Sequence, residues 1–438
     1  MLHYGKAGAP AMTKPLQAFD SMRANLSRLA SGSLVSQAIM VGSTPLLTRL
    51  FNADAFGVLA VFSATYAIAI PFTTLKYDAA LILPKSVDSA VRLTALVVLI
   101  ATSLALLAGA TLLAAAQWWP QLAPSVSLWL PLALWLGAMY TLMQQWSARR
   151  SNYRDFARSM VVGAALNVGT GLSLGYLFGG KPAFLILGMV CGMGGSLAYM
   201  CWRRRAHRLP ALPKGALGGL FKRARVYRQF PALVLPTSLM LTIGQSSMPL
   251  ILTANYPLAD VGQFAIANRL LLVPTALIGG ALAEAFRAEF VKRQRDRQAV
   301  RGLFTRTVRT LAMVALPLFG FLALTAPFLF ALVFGASYER AGLVAQAVVL
   351  GVAAQFIGNP FASVFVAMRK AATGLRIQAA TTVLPLLLLL AAGILHLPLA
   401  TALGIYSAAC AVSIGAMLIL VGRLCKASDA TLATRSGP

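Results

Sequence analysis

DVGQFAIANRLLLVPTALIGGALA, residues 260–283, carries a single charge after Asp260, and that charge is Arg269. From Val261 onward the run is long enough to cross a bilayer as a helix. At about 1.5 Å per residue, Arg269 lies roughly 12 Å in from Val261, near the middle of a hydrocarbon layer about 30 Å thick. A guanidinium at that depth costs several kcal/mol on insertion scales and does not deprotonate. It needs water, an acid or an anionic ligand.

The rest of the chain is built like this stretch. Of 438 residues, 58% are hydrophobic and 11% charged, and the mean hydropathy is +0.75. A soluble domain carries about 25% charged residues. The recurrent apolar runs of about 18–25 residues therefore read as membrane spans, and the fold class is an all-α integral membrane protein. The net charge of +27 would suggest nucleic acid in a soluble protein. Here Lys and Arg are sorted by topology, and no RNA-binding motif or zinc-finger spacing accompanies them, so no nucleic-acid partner is expected.

Twelve spans are predicted. In the first half they fall at about 30–50, 56–75, 92–116, 125–146, 159–179 and 183–202. In the second half they fall at about 231–254, 261–283, 310–334, 342–367, 376–395 and 398–422. With the N-terminus assigned to the cytoplasm, 34 of the 38 Lys and Arg residues lie in cytoplasmic segments, as the positive-inside rule requires. The other four are Arg49, Lys181, Arg269 and Arg340. Both termini are thus expected inside, and the outer loops are too short to hold a folded domain. Residues 1–28 lack the apolar core and cleavage site of a signal peptide, so the first apolar run reads as the first span. The expected organisation is an N-terminal six-helix lobe (1–202), a basic cytoplasmic linker (203–230) and a C-terminal six-helix lobe with a short tail (231–438). The linker reads as topogenic and attracted to anionic lipid.

The two lobes look like repeats. DAFGVLAVF (54–62) superposes on ADVGQFAIA (259–267), placing Gly57 on Gly262 at an offset of 205. Pro45 matches Pro249, and Arg149-Arg150 falls opposite Arg369-Lys370. Six helices per half give both halves the same orientation. Parallel repeats of this kind place a substrate path between the lobes, near the bilayer midplane.

Little in the sequence points to catalysis or metal binding. The chain has 11 acidic residues, most in cytoplasmic loops, and no HExxH, Walker loop or nucleophile elbow. Cys191, Cys201, Cys410 and Cys425 avoid the outer loops, so no disulfide framework is expected. His3, His207 and His396 offer no metal spacing. No enzyme activity, cofactor or metal is expected.

Polar residues at membrane depth are the candidates for transport. Arg49 and Asp54 read equally as a surface pair, and Lys76 and Asp78 as a local pair or as lining for the inner mouth of a cavity. Glu284 and Arg287, three apart on one helix face, read as an exposed ion pair. Arg269 has no acid within four residues on its own helix, and an inter-helix pair with Asp54 or Asp78 is the alternative to a ligand contact. Gln245 and Asn268 add uncharged hydrogen-bonding groups, as do Gln37, Gln144 and Gln145. Pro45, Pro249, Pro274 and Pro360 lie within spans and are expected to bend them, either as hinges or as static kinks beside a cavity.

Residues 30–90, with the step TRLF, the acid–aromatic–glycine turn at 54–57 and the segment KYDAALILPK, resemble the opening of the Wzx-type polysaccharide biosynthesis flippases. QQWSARRSNYRDFAR (144–158) is similar to that family's basic loop after helix 4, and residues 230–290 to the start of its second half. The resemblance covers about 30–425. It implies a twelve-helix, two-lobe fold of the MOP superfamily in the bacterial inner membrane. The function it implies is transfer of an undecaprenyl-diphosphate-linked oligosaccharide from the inner to the outer leaflet by alternating access. Its implied partners are that substrate, membrane lipids and other polysaccharide-assembly membrane proteins.

On this reading Arg269 is the contact for the anionic head group, with Lys76 and Arg49 as secondary candidates. Asp78, Asp54, Gln245 and Asn268 are cavity or coupling candidates. A cation-coupled multidrug exporter of MATE type is the main alternative, weakened because neither 30–48 nor 231–254 contains an acid. A membrane-embedded glycan enzyme is a further alternative, weakened by the lack of clustered acids or histidines. In the repeat register Arg269 aligns with Ala64, so only the C-terminal lobe brings the charge.

Overall fold

The computed structural model describes residues 29–118, 124–205, 219–368 and 370–435. The predicted cytoplasmic tail 1–28, the outer-loop residues 119–123 and the linker centre 206–218 lie outside the described residues, and His3 and His207 lie there with them. The described chain is helical throughout, without strands.

The first half holds α1 (29–42), α2 (Thr44–Leu50), α3 (Ala53–Thr74), α4 (Val87–Trp118), α5 (Pro124–Arg149), α6 (Tyr153–Phe178) and α7 (Pro182–Arg205). A short helix, α8 (Leu220–Val226), leads into α9 (Leu235–Ser246), α10 (Met248–Asn255), α11 (Leu258–Pro274) and α12 (Gly280–Arg295). The chain ends with α13 (Arg301–Phe334), α14 (Glu339–Gly358), α15 (Ala362–Ala367), α16 (Ala371–Ile394) and α17 (Leu399–Arg435).

Among the described residues, eight helical segments are long and apolar enough to cross a membrane. They coincide with eight of the twelve predicted spans. Their outward faces carry large aliphatic side chains, with Leu324 84% exposed, as expected where lipid is the solvent. The predicted span 125–146 lies on the continuous helix α5. The remaining three, 30–50, 231–254 and 261–283, fall on interrupted helices.

α3–α7 pack on one another, and α11, α13, α14, α16 and α17 form a second set. α3 and α11 run side by side between the sets. Their first turns approach so closely that a Cβ on Gly57 would overlap the Leu258 carbonyl, and one on Gly262 would overlap the Ala53 carbonyl. Only glycine allows main chains to meet at this distance. Around this crossing the two sets are fastened together. The Tyr338 hydroxyl donates to the Phe51 carbonyl at 2.5 Å, and the Phe56 and Tyr338 rings meet edge to face at 6.2 Å. Leu47, Phe51 and Phe56 share one buried cluster with Val261, Phe264 and Phe334. This end of the molecule is sealed.

At the opposite end an aromatic stack holds α12 and α13 to the turn Asn359–Phe361. Phe286 and Phe304 both meet Phe361 edge to face, at 4.8 and 4.9 Å. Arg287 donates to Glu284, the expected exposed pair, and holds that carboxyl below the ordinary range. The Asp429 carboxylate accepts from the main-chain N–H groups of Val300 and Arg301 at 2.9 and 3.1 Å, capping α13 from α17. All four cysteines are free thiols.

Candidate functional site

Three interrupted helices frame the space beyond the seal. α1 gives way to a turn at Ser43, and α2 restarts with Pro45 in its first turn, where a missing N–H costs nothing. A π-helical turn over Phe230–Val234 precedes α9, and a break at Ser247 precedes Pro249 of α10. α11 ends at Pro274, which cannot donate to the carbonyl four residues back, and a π-helical turn spans Thr275–Gly279. Pro360 sits buried in the 3₁₀ turn that ends α14.

Arg269 on α11 reaches across to the first of these breaks. Its Nη2 donates to the main-chain carbonyl of Met40 at 2.8 Å. The same carbonyl accepts the hydroxyls of Ser43 (3.1 Å) and Thr44 (3.0 Å), so the break concentrates donors on one oxygen. Among the described residues no carboxylate lies within salt-bridge distance of Arg269. The alternative of an ion pair with Asp54 or Asp78 is therefore not what satisfies it. A guanidinium has five N–H donors, and this contact uses one.

Two cavities meet at Arg269. The first, about 740 Å³, lies among α3, α9, α11, α14, α16 and α17. Its walls carry Gln245, Asn268, Gln355, Asn359, Gln378 and Thr381. The second, about 980 Å³, lies among α1, α3, α6, α7 and the α11–α12 junction. Its walls are mostly apolar, with Met40, Met160, Met189 and Met193 among them. Ser63, Arg269, Leu272 and Asn359 line both. Neither lining includes an Asp or Glu.

The structure thus brings Arg269, Gln245 and Asn268 together at one cavity, and Gln37 lines the other. It places the remaining candidates elsewhere. Arg49 and Asp54 are exposed and form no ion pair with each other. Asp78 is buried, 2% exposed, and accepts the Thr74 hydroxyl at 2.6 Å, closing the end of α3. Lys76 sits half-buried in the same tight turn, at φ 59°, and lines neither cavity. The surrounding KYDAALILPK segment is tied down by its neighbours. Arg149 donates to the Leu81 carbonyl at 3.0 Å, and the Tyr77 hydroxyl to that of Ala224 at 3.2 Å.

Sequence reasoning missed Gln355, Gln378 and Asn167 as wall residues, and Met40 as the partner of Arg269. The first three carry the signal that picked out Gln245: an amide inside an apolar run. A main-chain partner leaves no trace in the sequence.

A family model described as polysaccharide biosynthesis protein matches residues 46–342. The chain belongs to that family. No curated protein sequence matches it significantly. Solved structures share the family member's fold at low identity. A multidrug resistance MATE family transporter of the MOP superfamily, in an inward-facing conformation, aligns at 13% identity with a TM-score of 0.66, over 92% of this chain and 96% of its own. The lipid II flippase MurJ, in an inward closed conformation, aligns at 11% identity with a TM-score of 0.68, over 93% and 90%. The Vibrio cholerae MATE transporter VcmN in its bent form aligns at 15% identity with a TM-score of 0.51, over 94% and 99%. This is a multi-pass membrane protein of the polysaccharide biosynthesis family, and its fold is the one shared by those MATE transporters and MurJ.

Proposed function

We propose that the protein moves a polyprenyl-diphosphate-linked oligosaccharide from the inner to the outer leaflet by alternating access. The two helix sets act as lobes, and the basic loops lie in the cytoplasm. The observation that carries this reading is Arg269: a permanent cation between two cavities, held by one hydrogen bond to an uncharged acceptor. Its remaining N–H groups are suited to diphosphate oxygens, which guanidinium binds in bidentate fashion. The amides of Gln245, Asn268, Gln355 and Gln378 suit sugar hydroxyls. On this reading the Gly57–Gly262 crossing is the closed outer gate, and both cavities belong to an inward-accessible state.

A cation-coupled drug exporter fits these walls poorly. A cationic drug entering either cavity meets Arg269 and no lining carboxylate. A membrane-embedded glycan enzyme fits poorly for the same lack of acids.

The test is reconstitution. A lipid-linked oligosaccharide should become accessible on the far leaflet of vesicles only when the protein is present. Export of cationic dyes with the lipid left in place would overturn the proposal. Arg269→Ala should abolish transfer and Arg269→Lys should retain part of it.

A further inference from the structure

The two cavities differ in chemistry in the same way that the two ends of a lipid diphosphate differ. One wall set is rich in amides and hydroxyls; the other is apolar and rich in methionine, a side chain that adapts to irregular apolar ligands. In a polyprenyl-diphosphate glycan the diphosphate joins the polar part to the apolar part. In this protein Arg269 joins the polar cavity to the apolar one.

We infer that the apolar cavity between α1, α6, α7 and the α11–α12 junction binds the first isoprene units of the substrate while the polar cavity takes the glycan, with the diphosphate on Arg269. This rests on the flippase reading and adds to it that the chain nearest the diphosphate leaves the bilayer and enters the protein.

Three observations support that occupant over an empty or watery space. The cavity's 980 Å³ lies at the upper end of the 300–1,000 Å³ usual for small-molecule sites, so it has room for a sizeable apolar segment. Its wall is mostly apolar, with Gln37, Tyr140 and Asn167 among its polar side chains, and its one charge sits where it meets the other cavity. It is also flanked by lipid-facing surface: Leu34 and Val35 beside lining Ser36, and Ile278 beside lining Gly279, are all 40% or more exposed. A chain entering the cavity beside α1 or the α11–α12 junction would meet apolar side chains at its edge.

The experiment uses the full-length protein in proteoliposomes and a polyprenyl diphosphate bearing one sugar, with a diazirine on its first isoprene unit. After photolysis, mass spectrometry maps the adducts. Adducts are expected on the wall around Met160, Met189 and Met193, displaced by unlabelled probe and reduced at least tenfold in Arg269→Ala. A diazirine phospholipid should label outward positions such as Leu324 and should not saturate the methionine wall. Probe adducts confined to the lipid-facing surface or to the polar cavity, in protein that still flips the lipid, would overturn this inference and leave the flippase reading standing. Saturable labelling of the methionine wall by the phospholipid would overturn it as well, marking a general lipid site. Absence of both saturable labelling and transfer in the wild-type protein would remove the flippase reading itself. A second variant guards against misfolding: Met160→Gln with Met193→Gln should weaken binding of the long-chain probe several-fold more than that of a water-soluble sugar diphosphate. Equal effects on the two would count against the inference.

Discussion

Gly57 of α3 and Gly262 of α11 face each other across a helix crossing, each turned to the main chain of the other helix. The contacts are reciprocal: Gly57 abuts Leu258, and Gly262 abuts Ala53. Both pairs are related by the offset of 205 that relates the two halves in sequence. The crossing therefore lies on the local pseudo-two-fold axis of the repeat. A methyl group at either position must push a main-chain carbonyl aside. Gly57→Ala and Gly262→Ala are each expected to destabilise the sealed state by about 1–3 kcal/mol. Spin labels placed across α3 and α11 would report the separation, and unchanged distances in both variants would show that the crossing is not the gate.

Tyr338 fastens the same end by a different means. Tyr338→Phe keeps the ring against Phe56 and removes the hydrogen bond to the Phe51 carbonyl, leaving a buried acceptor unmatched. The expected cost is about 1–3 kcal/mol. It should appear as a lower melting temperature in detergent and as easier labelling of a cysteine introduced at position 51. If melting and labelling both matched wild type, the bond would carry no weight in the seal.

Pro274 withholds an N–H from the Leu270 carbonyl just where the π-helical turn begins. Pro274→Ala supplies that donor and favours a straight helix from α11 into α12. The variant should be more stable by roughly 1–3 kcal/mol. It should also transfer lipid several-fold more slowly, because residues 272–283 that line the apolar cavity would be re-aimed. Transfer at the wild-type rate would make the bend a static kink.

Asp429 gives a control remote from both cavities. Asp429→Ala removes the cap on α13 and should cost about 0.5–2 kcal/mol. Limited proteolysis near residues 296–300 should rise while the affinity for lipid-linked substrate stays at its wild-type value. A changed affinity would show that the cap communicates with the site.

Much of this architecture is written in the sequence because lipid is a demanding solvent. An apolar run such as 310–334 has few alternatives to a spanning helix, and a lone Arg269 stands out within one. The Gly57–Gly262 register was readable for a related reason, since both glycines stand in alignable segments. Side-chain destinations were less legible. Lys76 and Asp78 have the residue types of a charged cavity mouth, yet the left-handed turn at Leu75 and Lys76 folds them into a helix end. Arg49 faces outward because α2 presents Leu47 and Thr48 to the interior instead. Such choices depend on local backbone geometry and on neighbours far away in sequence. Periodicity does not report them.

The hydrogen bond from Arg269 to Met40 bears on turnover. An acceptor that belongs to the main chain survives any side-chain substitution at position 40, so the cation keeps a resting partner whatever that residue is. Displacing that partner costs an arriving anion about 1.5–3 kcal/mol, whereas breaking a buried ion pair costs about 3–5 kcal/mol. The reverse step gains equally, because a departing anion leaves the guanidinium with a partner rather than bare in hydrocarbon. Capture and release then differ little in free energy, and a carrier that must let go of its cargo once per cycle requires that balance.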